Sequence, residues 1–71
     1  MKQDIPSAEI VGLISGKIWS SLHKNGKSSI TKLKTGIPCR ASFLYFALGW
    51  LLREDKIIFI KADGQLFVQL K

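Results

Sequence analysis

The stretch KIIFIKADGQLFVQLK, residues 56–71, decides the C-terminal part of the fold. Its apolar residues follow a period of two on both sides of Asp63-Gly64, which is typical of β-strands. Asp-Gly favours a two-residue turn in which both residues have a positive φ. The stretch is therefore predicted to be a β-hairpin that closes at this turn, with Ala62 opposite Gln65.

Counting back from the turn assigns each side chain of the hairpin to one of two faces. One face is predicted to cover the helices and carries four apolar residues, Ile57, Phe59, Val68 and Leu70. Ile57 lies opposite Leu70 in this register, and Lys61 lies near the tip. The other face places Ile60 opposite Phe67, and the sequence does not indicate what covers these two side chains.

The first helix is predicted over about Ala8–Lys24, because apolar residues recur there at a spacing of three and four. They form one stripe: Val11, Ile14, Ile18 and Leu22. Ser7 can cap this helix through its hydroxyl, with Asp4 as the alternative start. Asn25-Gly26 supplies the left-handed residue that usually ends such a helix.

Two further helices follow a short extended piece at residues 28–30. Thr31 is predicted to cap a brief second helix, which Gly36 ends. A third helix is predicted from residue 39 or 40 to about residue 53, after a proline has redirected the chain. Its buried face repeats at three, four and seven residues: Leu44, Ala47, Leu48 and Leu51.

The outward side of the third helix is aromatic. A helical wheel turns Phe46 directly away from the core. Phe43 and Trp50 lie on one flank of that direction, and Tyr45 lies on the other. We expect Phe43 and Trp50 to pack at the edge of the core, whereas Phe46 remains exposed.

The predicted order of helix, short strand, short helix, helix and hairpin is that of a winged helix-turn-helix domain. The segments GKIWSSL (16–22), ITKL (30–33) and especially ALGWLLREDKI (47–57) resemble a family of short, stand-alone prokaryotic winged helix-turn-helix proteins, a domain of unknown function. The resemblance covers roughly residues 10–70. It implies an α+β fold with three helices and a C-terminal β-hairpin wing.

A length of 71 residues suits one small domain, which buries only about 60% of the surface that its unfolded chain exposes. We expect residues 1–71 to form this single domain, with residues 1–7 loosely ordered. The longest apolar run has about half of the roughly 20 residues that a transmembrane helix needs, and the N-terminal residues do not resemble a signal peptide. A cytoplasmic protein without a membrane partner is expected.

The side chains that could carry chemistry are few. One cysteine, Cys39, and one histidine, His23, provide neither a disulfide nor the three or four ligands of a zinc site. We therefore expect no metal, no cofactor and no enzymatic activity. Cys39 precedes the third helix beside Arg40, where helix amides can lower a thiol pKa and permit a redox switch. A small residue in the turn is the simpler interpretation of Cys39.

Eleven basic and five acidic residues give a net charge of +6. The stretch Ile10–Arg53 has no acidic residue and seven basic ones: Lys17, Lys24, Lys27, Lys32, Lys34, Arg40 and Arg53. This distribution predicts a positive surface that attracts phosphate backbones. The alternative is a solvated basic face that only keeps the protein soluble.

The family resemblance implies binding of double-stranded DNA by analogy with winged regulators, in a transcription-associated role. In such domains the third helix enters the major groove and the wing lies along a minor groove or the backbone. The candidate DNA-binding residues are Arg40, Ser42, Tyr45 and Phe46 on the third helix, Thr31, Lys32 and Lys34 at the DNA backbone, and Lys61 on the wing. On the third helix only Arg40 offers a fork for guanine, and no Asn or Gln can address adenine.

A protein-interaction module is the alternative function. Phe46 faces outward where base reading calls for a polar side chain, and Ile60 and Phe67 lie on the wing without a predicted cover. Exposed apolar surfaces of this kind are typical of sites that another protein buries. A homodimer through the wing or the third helix would cover these residues, and so would a different protein partner.

Overall fold

The computed structural model describes residues 5–71 as three helices and a three-stranded antiparallel sheet. The elements follow the chain as α1 (Ala8–Asn25), β1 (Ser28–Ser29), α2 (Ile30–Gly36), α3 (Ala41–Arg53), β2 (Ile57–Ala62) and β3 (Gln65–Leu70). This order confirms the predicted α+β fold of the winged helix-turn-helix type. Within residues 5–71, no helix combines the length and the apolar character needed to cross a bilayer.

Helix α1 begins and ends where the sequence predicts. The hydroxyl of Ser7 accepts a hydrogen bond from the Ile10 N–H at 3.2 Å, so Ser7 is the N-cap. Asp4, the alternative start, lies outside the described residues, as do residues 1–3. At the C-terminal end Gly26 has a φ of +78°, and its N–H donates to the Leu22 carbonyl at 2.8 Å. Glycine adopts this backbone conformation without steric penalty.

The cap of α2 corrects one prediction. Ser29, not Thr31, caps this helix: its hydroxyl accepts a hydrogen bond from the Lys32 N–H at 3.0 Å. Ser29 still has the extended backbone of β1, with φ −72° and ψ 157°. Because β1 ends at Ser29, the chain turns helical one residue before Thr31, which therefore lies inside the helix. The Thr31 carbonyl accepts a hydrogen bond from the Thr35 hydroxyl at 3.0 Å.

The hairpin has the predicted register. Ile57 lies opposite Leu70 and Ala62 lies opposite Gln65. Asp63 and Gly64 have φ values of 52° and 76°, which confirms a turn with positive φ at both central residues. These two residues set the twist and the closure of the wing.

The two-residue strand β1 joins the hairpin to the helical part of the fold. Ser28 pairs with Val68 and Ser29 pairs with Phe67, so the order of strands is β1-β3-β2. Ser28 is buried, and its hydroxyl donates to the Gly26 carbonyl at 3.0 Å. The wing is thus fixed to the polypeptide directly before α2, and β2 lies at the edge of the sheet.

The core lies between α1, α2, α3 and the inner face of the sheet. Its buried apolar residues are Ile14, Ile18, Leu22, Leu33, Ile37, Phe43, Leu44, Ala47, Leu48, Leu51, Ile57 and Val68. The Ser15 hydroxyl, also buried, donates to the Ala47 carbonyl at 3.4 Å and links α1 to α3. The predicted core faces of α3 and of the hairpin are confirmed.

Phe43 and Trp50 differ in their exposure to solvent, although they lie on the same flank of α3. Phe43 is buried as predicted, but Trp50 is 49% exposed, so the expectation that it packs at the core edge is wrong. Phe43 lies against large α1 side chains, Ile10 and Ile14 among them. Trp50 lies instead beside Ala8, Val11 and Gly12 in the first turns of α1, which leave about half of its side chain exposed.

Candidate nucleic-acid interface

The N-terminus of α3 carries a cation, Arg40. Arg40 is its N-cap residue and supplies no side-chain hydrogen bond to the first turn, which holds no acidic residue. The Arg40 guanidinium lies over the Phe43 ring, 5.9 Å from its centroid. The unpaired amides of a helix start carry partial positive charge, so Arg40 adds to the helix dipole there instead of neutralising it.

The outward face of α3 presents three of the candidate residues together. Ser42 is exposed, and Tyr45 and Phe46 are 48% and 51% exposed. The Phe46 ring lies 6.4 Å from that of Phe43, centroid to centroid. Phe46 therefore rests on a buried ring while half of its surface faces solvent, as the helical wheel predicts.

The short helix α2 places Thr31, Lys32 and Lys34 on the surface. All three side chains are exposed, while Leu33 between them is buried and anchors the helix. Buried Ile37 anchors the turn between α2 and α3 in the same way. The two lysines and the start of α3 thus belong to consecutive, rigidly held elements.

The wing contributes less positive charge than the sequence suggests. Lys61 is exposed on β2, directly opposite Leu66. Asp63 is exposed two residues further on, at the turn. The two opposite charges cancel at long range, so the tip of the wing provides a cation but no net positive field.

An apolar groove separates α3 from the wing, and the sequence did not predict it. Its volume is about 420 Å³, and its lining is Ile30, Tyr45, Leu48, Gly49, Phe59 and Leu66. Gly49 leaves the groove open, because a Cβ at this position meets no atom within 4 Å. Two features of the sequence point to it in retrospect: glycine on the outward face of α3, and Leu66 beyond the core-covering part of the hairpin.

The sequence did not predict that Lys17 on α1 lies beside the start of α3. It lines a cavity of about 300 Å³ together with Cys39 and Arg40 at the turn before α3. Burial raises the pKa of the Cys39 thiol, and the positive charge of Lys17 opposes this shift only in part. The proposed lowering of the Cys39 pKa is therefore wrong, because loss of hydration at the half-buried thiol outweighs the nearby cation.

The outer face of the sheet is partly covered by the protein itself. Ile60 and Phe67 lie opposite each other and are half-buried. The ammonium group of Lys27 lies over the Phe67 ring, 5.4 Å from its centroid. This contact is a cation–π arrangement, and it supplies part of the cover that the sequence left open.

Comparison with known proteins identifies the family. The model of the winged helix-turn-helix domain DUF2582 matches residues 1–70. The chain belongs to this DUF2582 family. It is also 35% identical over 63 residues to the uncharacterized protein MJ1608 of Methanocaldococcus jannaschii, a match that covers 86% of this chain and 90% of the relative.

Two solved structures share the fold of this DUF2582 domain. The solution structure of protein BT2368 from Bacteroides thetaiotaomicron superposes with a TM-score of 0.77 at 29% identity, covering 87% of this chain and 76% of the other. The Zalpha domain of Carassius auratus PKZ, crystallised in complex with Z-DNA, superposes with a TM-score of 0.73 at 21% identity, covering 86% and 97%. The second likeness shows the fold alone.

Proposed function

We propose that this DUF2582 domain binds double-stranded DNA without catalysing a reaction, as a transcription-associated protein of the cytoplasm. The interface comprises α2, the N-terminal half of α3 and the wing, with the candidate residues Thr31, Lys32, Lys34, Arg40, Ser42, Tyr45, Phe46 and Lys61. The observation that carries the proposal is the acid-free stretch Ile10–Arg53, whose seven cations lie on a helix-turn-helix scaffold. A phosphate backbone gains affinity from such a surface through counterion release.

Two of the acidic residues, Glu54 and Asp55, lie far from the start of α3. Glu54 and Asp55 follow the C-terminal end of α3, and Asp55 forms an ion pair with Lys71. Helix α3 has 13 residues, so at about 1.5 Å per residue these carboxylates lie about 20 Å from its start. This distance exceeds two Debye lengths of about 8 Å at physiological ionic strength. These two carboxylates therefore contribute little to the field at the start of α3.

The shared fold supports the proposal by analogy. The Zalpha domain of Carassius auratus PKZ forms a complex with Z-DNA on the same scaffold of helices and wing. Function belongs to a site and not to a fold, so the analogy supports an interaction with DNA in general and transfers no residue role.

An NMR titration tests the proposal. Labelled protein is mixed with a mixed-sequence duplex at low and at physiological salt, after the mass in solution has been measured. We expect chemical-shift changes confined to α2, the first half of α3 and the wing, which weaken steeply with salt. The absence of shifts at low salt would reject DNA binding in spite of the charge of +6.

Exposed aromatic residues favour a protein-interaction module as the second candidate function. Phe46 and Trp50 are four residues apart on α3, and about half of each side chain is exposed. Ile60 and Phe67 on the outer face of the sheet are a weaker candidate surface, because both are half-buried and Lys27 covers part of the Phe67 ring.

The mass of the protein in solution tests whether this second function involves a homodimer. If α3 forms a homodimer, Phe46→Ser halves the mass at equal concentration and leaves the fold intact. Leu52→Ser is the matched control, because Leu52 is exposed to a similar extent on the opposite flank of α3. Phe67→Ser tests the sheet surface in the same assay. Identical monomer masses for wild type and all three variants would exclude a homodimer.

A further inference from the structure

We infer that this interface binds duplex DNA without reading its base sequence. The inference rests on the proposed function and adds to it the class of DNA that is bound: any duplex, held by its phosphates. Proteins that read a sequence bind their site about 10³–10⁷ times more tightly than other DNA. The chemistry of the exposed residues in this interface does not provide such discrimination.

The exposed N-terminal half of α3 lacks side chains that distinguish base pairs. Bases are told apart in the major groove by Arg or Lys on guanine, Asn or Gln on adenine, and Asp or Glu on cytosine. Helices α2 and α3 contain no Asn, Gln, Asp or Glu. The outward positions hold Ser42, Tyr45, Phe46 and Gly49, and a hydroxyl hydrogen-bonds to either base of a pair. Arg53 also faces outward, but it ends the helix, about 18 Å from its start.

The apolar surface of α3 also opposes deep entry into the major groove. Phe46 on the helix and Leu66 across the groove beside α3 offer no partner to the donors and acceptors of base edges. Each base-edge group that is buried without a partner costs about 1–3 kcal/mol, and only a thymine methyl gains from apolar contact. The helix is therefore expected to lie over the groove while cations hold the backbone on either side.

Arg40 is the arginine of the proposed interface, with a planar fork that suits guanine, and its position favours a phosphate instead. It caps α3, with its guanidinium over the Phe43 ring and beside the cavity that Lys17 also lines. The cations Arg40 and Lys17 and the positive helix end thus converge on one small region. Phosphate is the DNA group that such a concentration of positive charge attracts most strongly.

The wing does not supply the missing specificity. Its exposed polar side chains at the tip are Lys61, Asp63 and Gln65. A wing in the minor groove meets a pattern that distinguishes only A·T from G·C pairs, so Gln65 alone cannot define a sequence there.

Two measurements test this inference. A selection from random duplexes at 50 mM salt is followed by direct affinities, from fluorescence anisotropy, for A·T-only, G·C-only and mixed duplexes of equal length. We expect no enriched motif and affinities that agree within about fivefold, far below the range of sequence-reading proteins. A motif bound about 100-fold or more tightly than the mixed duplex would overturn the inference and leave DNA binding intact. No binding to any duplex at 50 mM salt would reject both.

Arg40→Lys provides a separate test of the phosphate role. Lysine keeps the charge and removes the planar fork that pairs with guanine. We expect the affinity for all three duplexes to fall by the same factor, about threefold or less. A loss confined to duplexes that contain guanine would show that Arg40 reads this base, and would overturn the inference.

Discussion

Neutralising the two lysines of α2 tests the placement of the DNA interface most directly. The proposed interface contains four cations, Lys32, Lys34, Arg40 and Lys61, all of them exposed. If each neutralises one phosphate, log K should fall against log salt with a slope of about −3.6, from −0.9 for each contact. The wild-type affinity should then fall about 150-fold between 50 and 200 mM salt.

The double variant Lys32→Gln/Lys34→Gln removes two of these four contacts. Its slope should be about −1.8, so the same change in salt should lower its affinity only about 12-fold. Both side chains are exposed, and the buried Leu33 between them anchors the helix. The free energy of unfolding should therefore change by about 0.5 kcal/mol or less.

Fluorescence anisotropy with a mixed-sequence duplex at five or more salt concentrations measures both slopes. Lys24→Gln/Lys56→Gln is the matched control, because it removes the same charge at exposed positions outside the proposed interface. If the control flattens the slope as much as the α2 variant, binding depends on net charge alone. If the α2 variant keeps the wild-type slope, Lys32 and Lys34 do not contact the backbone and the interface lies elsewhere.

Three further predictions concern stability and the thiol. Gly64→Ala should lower the free energy of unfolding by about 1 kcal/mol or more in urea denaturation, because Gly64 has a φ of +76° that a residue with a Cβ adopts at a cost; an unchanged midpoint would contradict this. Gly16→Ala should raise the free energy of unfolding by about 1 kcal/mol, since alanine favours the helix and the added Cβ has no neighbouring atom within 4 Å outside the backbone of α1 itself; a lower melting temperature would refute it. The folded Cys39 thiol has a raised pKa, so stability should decline as pH rises above the ordinary thiol pKa, where the unfolded chain loses the proton first. Urea denaturation as a function of pH checks this decline, which Cys39→Ser should reduce.

Much of the fold was predictable because local interactions specify it. The turn at Asp63-Gly64 needs positive φ at two neighbouring residues, and the register of the hairpin follows by counting. The N-cap Ser7 and the end of α1 at Gly26 depend on residues within one helical turn. The cap of α2 was misplaced because it depends on where β1 stops pairing with β3, which is a contact distant in sequence.

Less of the candidate site was predictable. The exposure of Phe46 and Tyr45 follows from the helical wheel, and both are about half exposed. The groove between α3 and the wing was missed, because it is formed by residues on four separate elements, α2, α3, β2 and β3. The contribution of Lys17 was missed for the same reason, since α1 brings it beside Arg40 only in the folded chain.

Periodicity, turn chemistry and charge were already present in the order of the residues. They specify three helices, a hairpin of known register and a long stretch of positive charge without carboxylates, because each depends on neighbours along the chain or on simple counting. The environment of individual side chains, in contrast, is decided only by how the elements pack against each other. Phe43 is buried in the core together with Ile14 of α1, whereas Trp50, beside the first turns of α1, stays half exposed. The pKa of Cys39 likewise rises because burial between elements outweighs the charge of Lys17.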